Sequence, residues 1–76
     1  MIIDKKYLFG EICAFRKIMC STKYTTEQVS KALQGLLTVY VNYQSKSQEE
    51  KELVESIIQA TCDEHDRRLV YRLTGV

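Results

Sequence analysis

Apolar residues recur along the first part of this chain with the period of an α-helix. Residues 4–20 carry one apolar stripe at spacings of four, three and four, formed by Leu8, Ile12, Phe15 and Met19. The pattern ends in the polar run CSTKYTT. The spacing therefore predicts a first helix over residues 4–20.

A second helix is predicted over residues 26–44. Thr25 is followed three residues later by Gln28, which fits a capping box at a helix start. The apolar positions after it recur at helical spacing, at Val29, Leu33, Leu36, Tyr40 and Tyr43. The segment LLTVYVNY is rich in strand-forming residues, so a strand is an alternative there. It alternates poorly between apolar and polar positions, and we therefore prefer the helix.

A third helix is predicted over residues 48–73. Ser47 with Glu50 three residues later fits a second capping box, and Gly75 stands where a helix stop is expected. We expect the inner face of this helix to be formed by Leu53, Ile57, Thr61, Leu69 and Leu73, flanked by Val54, Ile58 and Cys62.

The three segments predict one all-α domain spanning residues 1–76. A chain of 76 residues is long enough for one domain only, and it contains no proline and three glycines to interrupt helices. The short connection near residues 44–47 makes the second and third helices antiparallel neighbours. We expect the shorter first helix to cover part of one side of this long hairpin.

A strip of the second helix is expected to stay uncovered in a single chain. The residues concerned are Leu36, Leu37, Val39, Tyr40, Val41 and Tyr43. Contiguous apolar patches of this kind usually mark an interface. The simplest cover is a second copy, because two hairpins can form a symmetric helical bundle. The strip therefore predicts a homodimer, unless the third helix covers it.

The amino-acid composition favours a location for the protein, but its net charge does not indicate a class of partner. Eleven basic and ten acidic side chains give a net charge of +1, which indicates neither a nucleic-acid nor a membrane partner. No apolar run approaches the length of a membrane span. Three cysteines are an odd number, and the start MIIDKKYLFGEI lacks the pattern of a signal peptide. These features favour reduced thiols and a cytoplasmic location.

The segment TCDEHDRRLVYRL, residues 61–73, raises the question of a metal site. Cys62 and His65 share a helix face, and Cys13 with Cys20 would complete a Cys3His set. Structural zinc sites usually take ligand pairs from tight turns, and two cysteines seven residues apart on one helix fit poorly. We therefore predict no metal and no cofactor, with buried or half-buried thiols and a surface histidine.

The same segment offers two weak catalytic patterns. A cysteine and histidine pair at Cys62 and His65 could activate a thiolate, and Glu64 with Asp66 could act as acid and base. Each requires a pocket, and no phosphate-binding loop or nucleophile elbow is present in the sequence. Spacings of three and four residues instead pair the carboxylates with nearby arginines on a solvated face. We predict that the protein is not an enzyme and has no catalytic residues.

Folding the hairpin concentrates charge of opposite sign at its two ends. One end gathers a basic pole that could bind an anion or an acidic partner, formed by Arg16, Lys17, Lys23, Lys31, Arg67, Arg68, Tyr71 and Arg72. The other end is acidic and carries Glu49, Glu50, Glu52 and Glu55. Ordinary surface charge that complements the helix dipoles is the alternative interpretation.

These features predict a small non-enzymatic regulator or inhibitor that acts on a larger protein as a homodimer. The general shape resembles small helical-hairpin dimers of phages, plasmids and bacteria, a likeness of architecture alone. Two alternatives remain open: a nucleic-acid or nucleotide-signal binding module that uses the basic pole, and a structural subunit of a larger assembly. A helix-turn-helix is disfavoured because Gly35 is followed at once by apolar LLTVYV.

Overall fold

The protein folds into three helices. The computed structural model describes residues 3–44 and 47–75. In chain order the helices are α1, Lys5–Cys20; α2, Thr26–Val41; and α3, Gln48–Thr74. Within these residues there is no strand, and an isolated parallel bridge joins Ile3 to Tyr43. The prediction of an all-α fold with three helices is confirmed.

The helix ends lie close to the residues that the capping signals predict. The side chain of Thr25 accepts a hydrogen bond from the backbone N–H of Gln28 at 3.1 Å, and the Gln28 side chain accepts from the backbone N–H of Thr25 at 2.9 Å. This confirms the first capping box. Ser47 accepts from the backbone N–H of Glu50 at 3.1 Å. Gly75 ends α3 with a φ of 72°, a conformation that glycine adopts without strain.

Helix α2 ends three residues earlier than expected. We predicted residue 44 as its end, but α2 stops at Val41, and Asn42 forms its C-cap. The Asn42 side chain donates to the carbonyl oxygen of Thr38 at 2.8 Å, which closes the last turn. The connection near residues 44–47 is only partly within the described residues.

Helix α1 is central to the core rather than a partial cover on a hairpin. All four residues of its predicted stripe are buried, and Val29 and Leu36 of α2 meet Val54 and Ile58 of α3 against them. The chain runs up, down and up again, because Tyr43 at the end of α2 contacts Glu50 near the start of α3, while Arg72 at the end of α3 reaches the α1–α2 connection. The core is thus shared by all three helices.

The inner face of α3 is rotated from the predicted one. Val54, Ile58, Thr61 and His65 are buried, whereas Leu53 and Leu73, which we expected inside, are more than half exposed. Apolar residues occupy both flanks of α3, so their pattern points in no single direction. Polar Thr61 and His65 take the central positions because each finds hydrogen-bond partners there.

The molecule is long and thin. Its principal extents are 42 × 22 × 15 Å, and α3 alone, at 27 residues, is about 40 Å long at a rise of about 1.5 Å per residue. Among the described residues, none of the helices combines the length and apolar character that crossing a bilayer requires.

Candidate interaction surface

The predicted strip on α2 is covered to different degrees within the single chain. Leu36 is buried in the core, Val41 is 78% exposed, and the other four residues are partly buried: Leu37, Val39, Tyr40 and Tyr43. Leu36 therefore packs inside the chain instead of facing a partner. Of the six residues, Val41 is the one that projects fully into solvent.

Two tyrosines of the strip are held by glutamates of α3. The Tyr43 hydroxyl donates a hydrogen bond to Glu50, and this bond, together with burial, raises the pKa of Tyr43 to about 12. Burial and the neighbouring Glu55 carboxylate raise the pKa of Tyr40. Both contacts favour the neutral phenol, because a phenolate beside a carboxylate would be repelled. The acidic end of α3 thus has an internal role in holding α2.

Arg72 has an internal role at the opposite end of α3. Its guanidinium donates to the backbone carbonyls of Met19 and Ser21, each at 3.0 Å, and to that of Tyr24 at 3.3 Å. These carbonyls belong to the end of α1 and to the α1–α2 connection, where a helix terminus leaves acceptors unpaired. A planar guanidinium with several donors suits this arrangement better than an ammonium group. Arg72 therefore anchors the end of α3.

The neighbouring arginines differ in how far they are engaged. Both Nε and Nη2 of Arg68 donate to Glu64 Oε1, at 3.3 and 3.1 Å. Arg67 lies 3.9 Å from the same carboxylate oxygen and has a largely exposed side chain. The weak, exposed contact of Arg67 contributes little to stability. Of these arginines, Arg67 is the one most available to an external partner.

The remaining cations of the predicted basic pole are exposed. Arg16 Nη2 donates to Thr61 Oγ1 at 3.3 Å, about two turns of α3 before Arg68. Lys17, Lys23 and Lys31 are exposed. Arg72 lies at the α1–α2 connection, as predicted from the hairpin. Its guanidinium is engaged there in hydrogen bonds within the chain.

His65 is buried, contrary to the expectation of a surface histidine. It is 6% exposed, and its ring centroid lies 6.0 Å from that of Phe15. Its Nε2 lies 3.5 Å from Ser30 Oγ, and its Nδ1 lies 3.3 Å from Asp66 Oδ1. A polar residue at this position is compatible with burial because the other two helices and its neighbour in sequence surround the ring with an aromatic face and polar partners.

Serine, histidine and aspartate here stand in the order of a hydrolase triad, so the space around them matters. Ser30 lies inside α2, where helix formation engages the backbone N–H groups that an oxyanion hole would need. The crevice beside His65, lined by Met19, Val29 and Leu69, has a volume of about 10 Å³, roughly one water molecule. The contacts therefore serve to satisfy a buried imidazole, and the crevice is too small for an acyl substrate.

The thiols are more exposed than expected. Cys13 and Cys20 lie on the surface of α1, and Cys62 is half-buried. Burial, with smaller contributions from Asp66 and Asp63, raises the pKa of Cys62 and keeps that thiol protonated. In the described part of the chain, no three side chains of the histidine, cysteine, aspartate and glutamate types come together at metal-binding distance.

An exposed apolar patch lies on the last turns of α3. Val70, Tyr71 and Leu73 are 59%, 63% and 73% exposed. We call these three residues the α3 end patch. Val70 and Tyr71 form a shallow depression with Arg67, Arg68 and Thr74. From the sequence, we predicted Tyr71 as part of the basic pole and Leu73 as part of the inner face of the third helix. We did not predict Val70, because it carries no signal beyond being apolar on an outer face.

Comparison of the chain with protein-family models, curated protein sequences and solved structures gave no match. The geometry of the chain is therefore the basis for the proposals that follow.

Proposed function

We propose that this chain is a small non-enzymatic regulator or inhibitor, of phage or bacterial type, which acts by protein–protein interaction as a homodimer. The observation that carries the proposal is the α3 end patch. Three large apolar side chains stand in solvent at a helix end that Arg72 holds in place. Exposed apolar surface on an otherwise folded domain is typical of a binding site for another protein.

The patch also indicates the chemistry of the larger partner. A tyrosine and two aliphatic side chains fill apolar pockets well, and tyrosine and arginine are enriched among the residues that dominate binding energy. Arg67 beside the patch favours carboxylates at the rim of that pocket. Because α3 is anchored before it binds, little ordering entropy is lost on docking.

Affinity purification from the source cell tests this function. A tagged wild-type chain is compared with Val70→Glu, which places a charge in the end patch, and with Gln59→Glu, which adds the same charge to an exposed site in the middle of α3. We expect a protein to copurify with the wild type and with Gln59→Glu and to be lost with Val70→Glu. Both variants should fold, because both positions are exposed.

The same purification examines nucleic acid as the alternative ligand. Anion binding at the basic pole predicts copurifying nucleic acid that salt releases and that Arg67→Ala weakens. Recovery of nucleic acid without protein, unchanged by Val70→Glu, would replace the proposed function with that alternative. Capture of the same protein by all three chains would remove the end patch from the proposal.

A further inference from the structure

Along α3, a second set of residues lies beside the core-facing positions, and Ile57 at its inner edge packs against the core. They recur at spacings of four, three, four, three and four, which places them on one flank of the helix: Leu53, Ile57, Ala60, Glu64, Arg67 and Tyr71. We call this flank the α3 seam. Four of its members are exposed, and Ile57 and Glu64 are half-buried. Such a repeat of three and four is the spacing with which one helix packs along another.

The exposed surface area of the chain is large enough to accommodate a neighbouring molecule. A folded monomer of 8.9 kDa typically exposes about 4,800 Å². This chain exposes 5630 Å², an excess of about 800 Å², which is close to the area that each partner buries in a standard interface. The elongated shape accounts for part of this excess, and the chain has enough exposed surface for one such interface.

The charges along α3 select the kind of neighbour and its direction. Glu49 and Glu52 are exposed in the first part of the helix, and the exposed cation of the seam, Arg67, lies in the last part. Two copies of α3 packed in parallel would bring like charges together. In the antiparallel direction, the acidic part of each copy meets Arg67 of the other, which is electrostatically complementary.

We propose that the α3 seam is a self-association surface, on which a second copy of this chain packs its own α3 in the antiparallel direction. The twofold axis passes between Ile57 and Ala60, so that each faces the other across the interface. In this register Arg67 of one copy approaches Glu49 and Glu50 of the second copy. The last turns of both helices extend past the start of the opposing α3, so Tyr71 lies at the edge of the contact, and Val70 and Leu73 stay exposed at opposite ends of the dimer.

This inference rests on the proposed function, because it locates the homodimer contact that the proposal assumes. It differs from the α2 strip predicted from sequence, most of which is covered inside the chain. The seam and the end patch share Tyr71 but are probed through different residues. Partner capture through Val70 and dimerisation through Ala60 can therefore fail independently.

The test is the mass of the purified chain by sedimentation equilibrium, from about 1 μM to about 1 mM, a range in which modest interfaces dissociate. A reducing agent is included because Cys13 and Cys20 are exposed and could link copies covalently. We expect twice the monomer mass at high concentration. Ala60→Lys should raise the dissociation constant at least about tenfold, whereas the matched variant Gln59→Lys, next in sequence and outside the seam, should change it less than about twofold.

A charge exchange tests the antiparallel direction. Arg67→Glu and Glu49→Arg should each weaken the dimer, and the double variant should recover to within about threefold of the wild type. A wild type that stays monomeric throughout would overturn both the seam and the homodimer. A dimer that Ala60→Lys leaves intact and Val41→Lys breaks would place the contact on α2 and overturn the seam alone. A double variant no tighter than the single ones would overturn the antiparallel packing.

Discussion

The two ends of α3 are attached to the rest of the molecule by different chemistry. Near the start of α3, the neutral phenols of Tyr40 in α2 and of Tyr43 just after α2 donate to glutamates of α3, and Val54 is fully buried one turn after Glu50. Near Thr74, one guanidinium binds three backbone carbonyls, while the apolar side chains around it point into solvent. At the first end, buried apolar residues help to hold the helix in the fold. At the second, a polar residue maintains the fold and leaves the apolar residues available for binding.

The largest expected effect comes from making the same substitution at both ends. Val54→Ala removes fully buried methyl groups and should lower the free energy of unfolding by about 2 kcal/mol. Val70→Ala removes the same groups from an exposed site and should change it by less than about 0.5 kcal/mol. Urea denaturation at one low protein concentration measures both. Equal losses at the two positions would show that the end patch is part of the core.

The arginines give the next comparison. Arg72→Ala leaves three carbonyls without their donor and should lower the free energy of unfolding by about 1 to 3 kcal/mol. Arg72→Lys should recover only part of this loss, because an ammonium group can donate to these carbonyls but cannot match the geometry of the planar guanidinium. Arg67→Ala is the control, with an expected change below about 0.5 kcal/mol. If the two alanine variants were equally stable, Arg72 would not be an anchor.

The tyrosine at the first end predicts a smaller, pH-dependent effect. Tyr43→Phe should lower the free energy of unfolding by about 1 kcal/mol at neutral pH. Folding raises the pKa of Tyr43 from 10.0 to about 12. Its contribution is therefore fully present below pH 10 and is lost as the pH rises from about 10 to about 12. Denaturation of both chains across that range should show the difference between them closing.

Tyr71→Phe is the matched control for this pH effect. The Tyr71 side chain is mostly exposed at the other end of α3, so the substitution should change the free energy of unfolding by less than about 0.5 kcal/mol. A gap between wild type and Tyr43→Phe that stays constant up to pH 12 would contradict the hydrogen bond to Glu50.

The sequence was sufficient for those parts of the fold that depend on local chemistry. Thr25 and Gln28 specify the start of α2 because each side chain bonds a backbone group three residues away. The stripe on α1 predicted its buried face because Leu8, Ile12, Phe15 and Met19 recur without interruption at helical spacing, and all four are buried. Signals of this kind need no knowledge of the neighbouring helices.

The inner face of α3 could not be predicted in the same way. His65 and Arg72 lie toward the other helices, where a rule that equates polar with exposed would not place them, whereas Thr61 lies inside as its helical spacing predicted. Each is accommodated by partners from elsewhere in the chain: Arg16 for Thr61, Ser30 for His65, and carbonyls of the α1–α2 connection for Arg72. Long-range partners of this kind are visible only once the helices are packed. The exposure of Val70 and Leu73 in the end patch was missed for the same reason.

The central claim is that Arg72 holds the end of α3 in one conformation, so that the end patch is ordered before any partner binds. Amide hydrogen exchange on the purified chain tests it most directly, because it reports local opening along a single helix. We expect residues 68–73 to be protected in the wild type and to exchange at least about tenfold faster in Arg72→Ala, with residues 54–61 unchanged. Equally fast exchange of residues 68–73 in both chains would contradict the claim.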